Sequence, residues 1–140
     1  MDIDFKFEGQ EDFDRNMKKM NSELQTKASH TMSGHAARWY RDRMQAVLPV
    51  KTGVLAASPT AKKVPKKYSS NIAEHEVGVP IGKGESRAGA YAHVIEFGRS
   101  RGPLGPMKGN RLWTITFEQG VNQMLQEMAK AGKKWMRKWL

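Results

Sequence analysis

Glu96 is the side chain best placed to do chemistry. It is the one carboxylate in the apolar run Tyr91-Ala92-His93-Val94-Ile95-Glu96-Phe97, immediately ahead of Gly98. A carboxylate lodged among apolar neighbours can act as a general acid or base, because burial lifts its pKa toward neutrality. With His93 in the same run, the enzymatic reading is a small hydrolase centred on Glu96 and His93. Such a site also needs a second acid, a nucleophile elbow or a metal cluster, and the sequence offers none. The simpler expectation for Glu96 is an ion pair with Arg99, Arg101 or an upstream arginine.

The remaining candidates are weaker. His30, His35, His75 and His93 are scattered, and no two have the His-x-x-x-His spacing of a metal site, so they read as packed or surface histidines. Gly82-Lys83-Gly84 looks superficially like a phosphate loop but lacks the Gly-x-x-x-x-Gly-Lys-[Ser/Thr] pattern between strand and helix. Glu85 and Arg87 extend it into a charged, glycine-rich loop over residues 80–89, suited to ordering against a partner. Arg99, Arg101, Lys108 and Arg111 form a second basic loop over residues 98–109 and just beyond, which could grip phosphates. No helix-turn-helix, RNA-recognition strand or zinc finger accompanies it.

The elements that must position these residues follow from periodicity. Ile3, Phe5 and Phe7 alternate with charged residues and predict a half-buried strand ended by Gly9. A long helix is expected over residues 11–48. Phe13, Met17, Met20, Leu24 and Ala28 make one apolar stripe; Met32, Ala36, Tyr40, Met44 and Val47 make another, rotated from the first. The change falls near Ser33-Gly34, so the helix kinks or breaks there, or its halves pack on different surfaces. In an oligomer, one half would face its own core and the other a neighbour. Pro49 stops the helix and Thr52-Gly53 is a turn.

Residues 55–64 are expected to be extended, with Pro59 and Pro65 pointing to an edge. Ser69-Ser70-Asn71 is a turn, and residues 72–79 alternate as the second strand of a hairpin. Residues 91–97 read as a further strand or a short strand–helix element. From about residue 112 to the end, Trp113, Phe117, Val121, Met124, Met128, Ala131, Trp135 and Trp139 line one side of an amphipathic helix.

Composition narrows the function. At 140 residues, the chain suits a single domain over residues 1–140, and 39% hydrophobic with 27% charged residues makes it globular rather than disordered. No apolar run reaches the roughly 20 residues of a membrane span. The start, Met1-Asp2-Ile3-Asp4-Phe5, lacks the features of a signal peptide. Cysteine is absent, which excludes disulfides and thiolate metal sites. The net charge of +10 is polarised: Asp2, Asp4, Glu8, Glu11, Asp12 and Asp14 crowd the beginning, and Lys130, Lys133, Lys134, Arg137 and Lys138 the end. The basic end would attract nucleic acid, an acidic protein surface or another copy's N-terminus, or it is simply a solvated helix face.

Two segments go further. Pro49-Val50-Lys51-Thr52-Gly53-Val54-Leu55-Ala56-Ala57-Ser58 fits Pro-x-x-Thr-Gly-x-Leu-x-x-Ser, and Tyr91 through Gly98 fits Tyr-Ala-x-x-[Val/Ile]-Glu-[Phe/Tyr]-Gly. Their order and spacing, with Val77-Gly78 between them, resemble the HK97 gp10-like family of tailed-phage neck and tail-completion proteins from about residue 30 to the end. Arg99 stands where the family often has threonine. Only Pro106-Met107 echoes its Pro-Phe-[Leu/Met]-x-Pro-Ala stretch.

The resemblance implies an α+β fold in which a small antiparallel sheet packs against a long N-terminal helix and a C-terminal amphipathic helix. It also implies a structural protein without enzymatic activity or cofactor. Its copies would form a hexameric ring in the neck or tail of the virion, assembled in the host bacterial cytoplasm. Partners would be further copies, a head-completion or stopper protein and the tail tube protein, with non-specific contact to channel DNA and no membrane. Thr52, Gly53, Leu55, Tyr91, Glu96, Phe97 and Gly98 would shape the subunit. Gly82, Lys83, Gly84, Glu85, Arg87, Arg99, Arg101, Lys108 and Arg111 would dock it. The alternative is a basic nucleic-acid-binding module using Arg99, Arg101, Lys108 and the terminal lysines.

Overall fold

Helices dominate the computed structural model, which describes residues 9–48, 54–68, 73–79, 87–102 and 105–139. A continuous helix opens the chain: α1 (Gln10–Glu23), a π-helical segment (Leu24–Ala28) and α2 (Ser29–Val47). Gly9 enters it at φ 96°, and Glu11 and Asp12 in the first turn suit the positive end of the helix dipole. The helix does not break near Gly34; its one irregularity is the π segment, which lies earlier. There the Ser29 hydroxyl donates to the Leu24 carbonyl five residues back, at 2.9 Å. Those of Thr26 and Thr31 donate four residues back. Such back-bonding competes with the regular ladder, and a π segment is one way to accommodate it. Gly34 instead sits buried within regular α2, where an added Cβ would stand 3.2 Å from His75 Nε2.

After α2 come a single turn, α3 (Val54–Ala57), and the hairpin β1 (Thr60–Lys63) and β2 (His75–Gly78). Leu55 therefore lies in a helical turn, not in the expected extended segment. The strands pair antiparallel, Thr60 with Gly78 and Lys63 with His75, and the hairpin rests on α2. Pro59, just ahead of β1, is fully buried and its carbonyl accepts from Gln45 Nε2. A helix α4 (Arg87–Phe97) follows, then the short antiparallel strands β3 (Gly98–Arg99) and β4 (Met107–Lys108), and finally α5 (Leu112–Met136). The fold is α+β, as expected.

Residues 91–97 are helical, which corrects the expected strand. Ala92, Ile95 and Glu96 are buried while Tyr91 and Phe97 are bare, a helical spacing. The run is apolar on every side, so alternation could not tell period two from period 3.6, and its alanines favour helix. Arg87, expected in the preceding loop, begins this helix. The expected loop over residues 98–109 contains the β3–β4 pair.

The core lies between α2 and α5. Ala28, Ala37, Met44 and Leu48 are buried along the first long helix, and Met124, Ala131 and Trp135 on α5. Two glycines let the helices approach: a Cβ on Gly120 would stand 2.5 Å from the Trp39 ring, and one on Gly132 3.1 Å from Met32 Sδ. Because Met32 meets position 132 and Trp39 meets position 120, the helices run antiparallel. The predicted stripe on α5 is partly displaced: Phe117 is 47% exposed, and Thr116 and Gly120 are buried in its stead. The expected strand at residues 3–7, the Pro49 stop and the turns at Thr52-Gly53 and Ser69-Ser70-Asn71 lie outside the described residues.

Candidate functional site

The C-terminal end of α4 delivers Glu96 to the N-terminus of α5. Arg111, the residue that caps α5, sits at φ 51° and offers no side-chain cap of its own. Glu96 takes over that role from another helix. Its Oε2 accepts from the Trp113 N–H at 2.8 Å, and its Oε1 from the Thr114 N–H at 3.1 Å and the Thr114 hydroxyl at 2.5 Å. These donors are otherwise orphaned at a helix start, and the helix dipole there favours negative charge. The side chain is thereby satisfied although Glu96 is only 5% exposed. The backbone reinforces the clamp: the Ile95 carbonyl accepts from Asn110 N at 2.7 Å, and the Glu96 carbonyl from Arg111 N at 3.1 Å.

This arrangement replaces the expected ion pair, since the carboxylate meets α5 and not Arg99 or Arg101. It also leaves little for acid–base work, with both oxygens engaged and aimed at backbone. His93 is exposed and packs its ring on Phe97, centroids 4.9 Å apart. Tyr40 completes the surroundings, donating its hydroxyl to the Trp113 carbonyl at 2.7 Å. Burial, with the Glu96 charge adding to it, pushes the Tyr40 pKa up to about 12, so the phenol stays a donor. The signal that could have exposed this clamp is the missing Ser, Thr, Asp or Asn at the α5 cap position.

Gly98 follows at φ 78°, against the Met107 carbonyl, and Gly109 lies against the Glu96 carbonyl and the Phe97 backbone. Any side chain at either position would collide with backbone, so these two glycines let β3 and β4 close. The hairpin gathers part of the predicted basic set. Arg99 pairs with Met107, and Lys108 with Gly98. Arg99 Nε donates to the Gly105 carbonyl at 3.0 Å and braces the loop. Arg101, Lys108 and Arg111 are exposed, as are Tyr91, Met107 and Phe97, the last at 72%. Thr52, Gly53, Gly82, Lys83, Gly84 and Glu85 lie outside the described residues, and Leu55 is half-buried in α3, beside α4.

A second polar cluster escaped sequence reasoning. Ser33 Oγ lies 2.8 Å from His75 Nδ1, and the His30 ring stands edge-on to His75 at 5.9 Å. His30 Nδ1 is buried without a partner. Burial holds both imidazoles below their ordinary pKa; Lys63 and Lys66 reinforce this at His30, and His30, Lys63 and Arg38 at His75. The cluster joins β2 to α2, positions far apart in sequence that only the hairpin's docking brings together. Among the described residues, no group of three or more potential ligands could hold a metal ion.

No helix among the described residues is long and apolar enough to cross a membrane. No curated protein and no solved structure matches the chain. Residues 11–98 match the family described as "Bacteriophage HK97-gp10, putative tail-component". That span covers most of the chain and takes in the Thr-Gly segment and the Glu96 helix, with the β1–β2 hairpin between them. The chain belongs to the HK97-gp10-like family of bacteriophage tail structural components.

Proposed function

We propose that this chain is the subunit of a hexameric ring that completes the phage tail and joins it to the head at the neck. Its action is geometric, not chemical: copies meet through heterologous contacts that close on themselves, and the ring faces present loops to the proteins above and below. The carrying observation is the surface left bare when Glu96 is committed to holding α5. Phe97, Tyr91 and Met107 are exposed, as are Arg101, Lys108 and Arg111. Aromatic residues, methionine and arginine are the types enriched at protein interfaces, and the family is one of tail components. The partners are further copies, a head-completion protein and the tail tube. Assembly takes place in the host cytoplasm and the product resides in the virion.

Phage particles made without this chain, or with Phe97→Asp, should yield heads and tails that accumulate separately, with no ring at the tail's head-proximal end in electron micrographs. Normally joined particles in its absence would overturn the reading. A monomer that binds DNA with an affinity falling steeply in salt, and that never joins tails, would favour the nucleic-acid module instead.

A further inference from the structure

Among the described residues, two apolar surfaces of this subunit lie without a partner and match each other. The first is on α1. From position 11 to position 19 every residue is exposed, and Phe13 and Met17 stand out at 63% and 44%, followed by Leu24 at 42%. These residues and Met20 share one face. The second is a groove of about 320 Å³ between α2, β2 and α5, lined by Ala36, Tyr40, Val77, Phe117, Met124 and Met128 among others. On α1 the stripe between positions 13 and 24, and on α5 the groove wall between positions 117 and 128, are each about 16 Å long at about 1.5 Å per residue.

The charges around the two surfaces are complementary as well. At about 100° per residue, Asp14 falls on one flank of the α1 stripe, and Asp12 and Glu23 on the other; Arg15 pairs with Asp12 and Lys27 with Glu23, so acid predominates at the first turn, where Glu11 and Asp14 stand. The Ser33–His75 end of the groove lies in the field of Lys63 and Arg38, with Lys63 directly across the hairpin from His75. Glu76 lies on the same strand but faces Lys62. The acidic first turn of α1 therefore belongs at the His75 end, which sets Leu24 toward Phe117.

α1 cannot fill the groove of its own subunit without breaking. Helical structure runs without interruption from Gln10 through the π segment to Val47, so α1 projects beyond the end of α2 rather than folding back over it. We infer that the α1 stripe of each copy seats in the α2–β2–α5 groove of the next copy. The contact joins two different surfaces, so it propagates and closes into a ring when the rotation allows. It deepens the ring reading and rests on it. It assigns the side-to-side joint to α1 and leaves the α4–hairpin surface to axial neighbours.

The test is sedimentation of the full-length chain. Phe13→Asp with Met17→Asp disables the stripe; Phe117→Lys with Met128→Lys disables the groove. Each variant should self-associate about a hundredfold more weakly than the wild type, as expected when a buried apolar anchor is lost. At dilutions where the wild type is dissociated, the stripe variant should have the same melting temperature as the wild type. Mixing the two variants should restore a one-to-one dimer and nothing larger, because one good stripe and one good groove remain. A stripe variant that associates as the wild type does would overturn the joint and leave the ring reading standing. A stripe variant that melts several degrees lower than the dissociated wild type would also overturn it, by showing that the stripe packs within its own subunit. A wild-type chain that stays monomeric and is absent from tails would overturn both.

Discussion

α1 and α5 are both amphipathic helices with charged backs, yet their apolar faces meet opposite fates. On α5, Met124, Ala131 and Trp135 are covered by α2, and Gly120 and Gly132 are notches cut for Trp39 and Met32. On α1, Phe13 and Met17 stay 63% and 44% exposed. Amphipathicity tells which face of a helix wants cover, but the cover itself is a property of the neighbouring surface. On α5 small residues stand opposite large ones of α2, in the same chain. α1 has large residues and no such notches across from it.

Removing a side chain from the covered interface breaks the comparison hardest. Met44 is fully buried on α2, so Met44→Ala should cost about 3 kcal/mol in denaturant unfolding, the usual toll of a cavity left in a core. Gly120→Leu should lose about as much by the opposite route, since even a Cβ there meets the Trp39 ring. A loss under about 1 kcal/mol in either would mean that α2 and α5 are not the core.

Next in size is the clamp on α5. Glu96→Gln keeps the shape but places an amide donor against backbone donors and discards the charge at the helix start. About 2 kcal/mol of stability should go, without the helix content changing at low temperature. Thr114→Val should lose less, since only the hydroxyl's bond to Glu96 disappears. If Glu96→Gln were neutral in stability but abolished tail joining, the carboxylate would belong to a contact surface rather than to the subunit's frame.

A smaller effect separates the hairpin's seat from the helical core. His30 and His75 have folded pKa values held below the ordinary 6.5 by burial, most of their charged surroundings being basic. Depressed imidazole values favour the neutral form in the fold. Their share of stability is therefore complete above about pH 6.5 and lost as pH falls through the lowered folded values. The denaturation midpoint should drop between about pH 7.5 and pH 5. The drop should be shallower in the pair His30→Gln, His75→Gln, compared with carboxylate protonation common to both proteins.

The family, the two terminal helices and the β1–β2 hairpin could be read from the residues, because stripes, turns and two long motifs each point one way. α4 could not: with apolar residues on all sides, the run around Glu96 fits either period, and only its landing on α5 decides. The role of Glu96 was equally hidden. Nothing near it in sequence shows that Trp113 and Thr114 are its partners; the hint is negative, an arginine at the cap position of the helix that starts at Leu112. The π segment was missed because glycine seemed the natural place for a helix to yield. In fact hydroxyls bonding back to carbonyls mark the yielding turn, and Gly34 serves to admit His75.

The smallest expected change in stability is the sharpest test of the difference between α1 and α5. Phe13→Ala and Met17→Ala remove large apolar side chains, and the same truncations in a core would cost several kcal/mol. In the dissociated subunit each should shift stability by less than about 0.5 kcal/mol, since the side chains are exposed there. Both changes also raise helix propensity slightly, which works against any loss. Two neutral melts beside weakened self-association would mean that sequence spends these residues on a neighbour. A loss of 2 kcal/mol or so from either would mean instead that α1 is covered by its own chain, and the contrast with α5 would collapse.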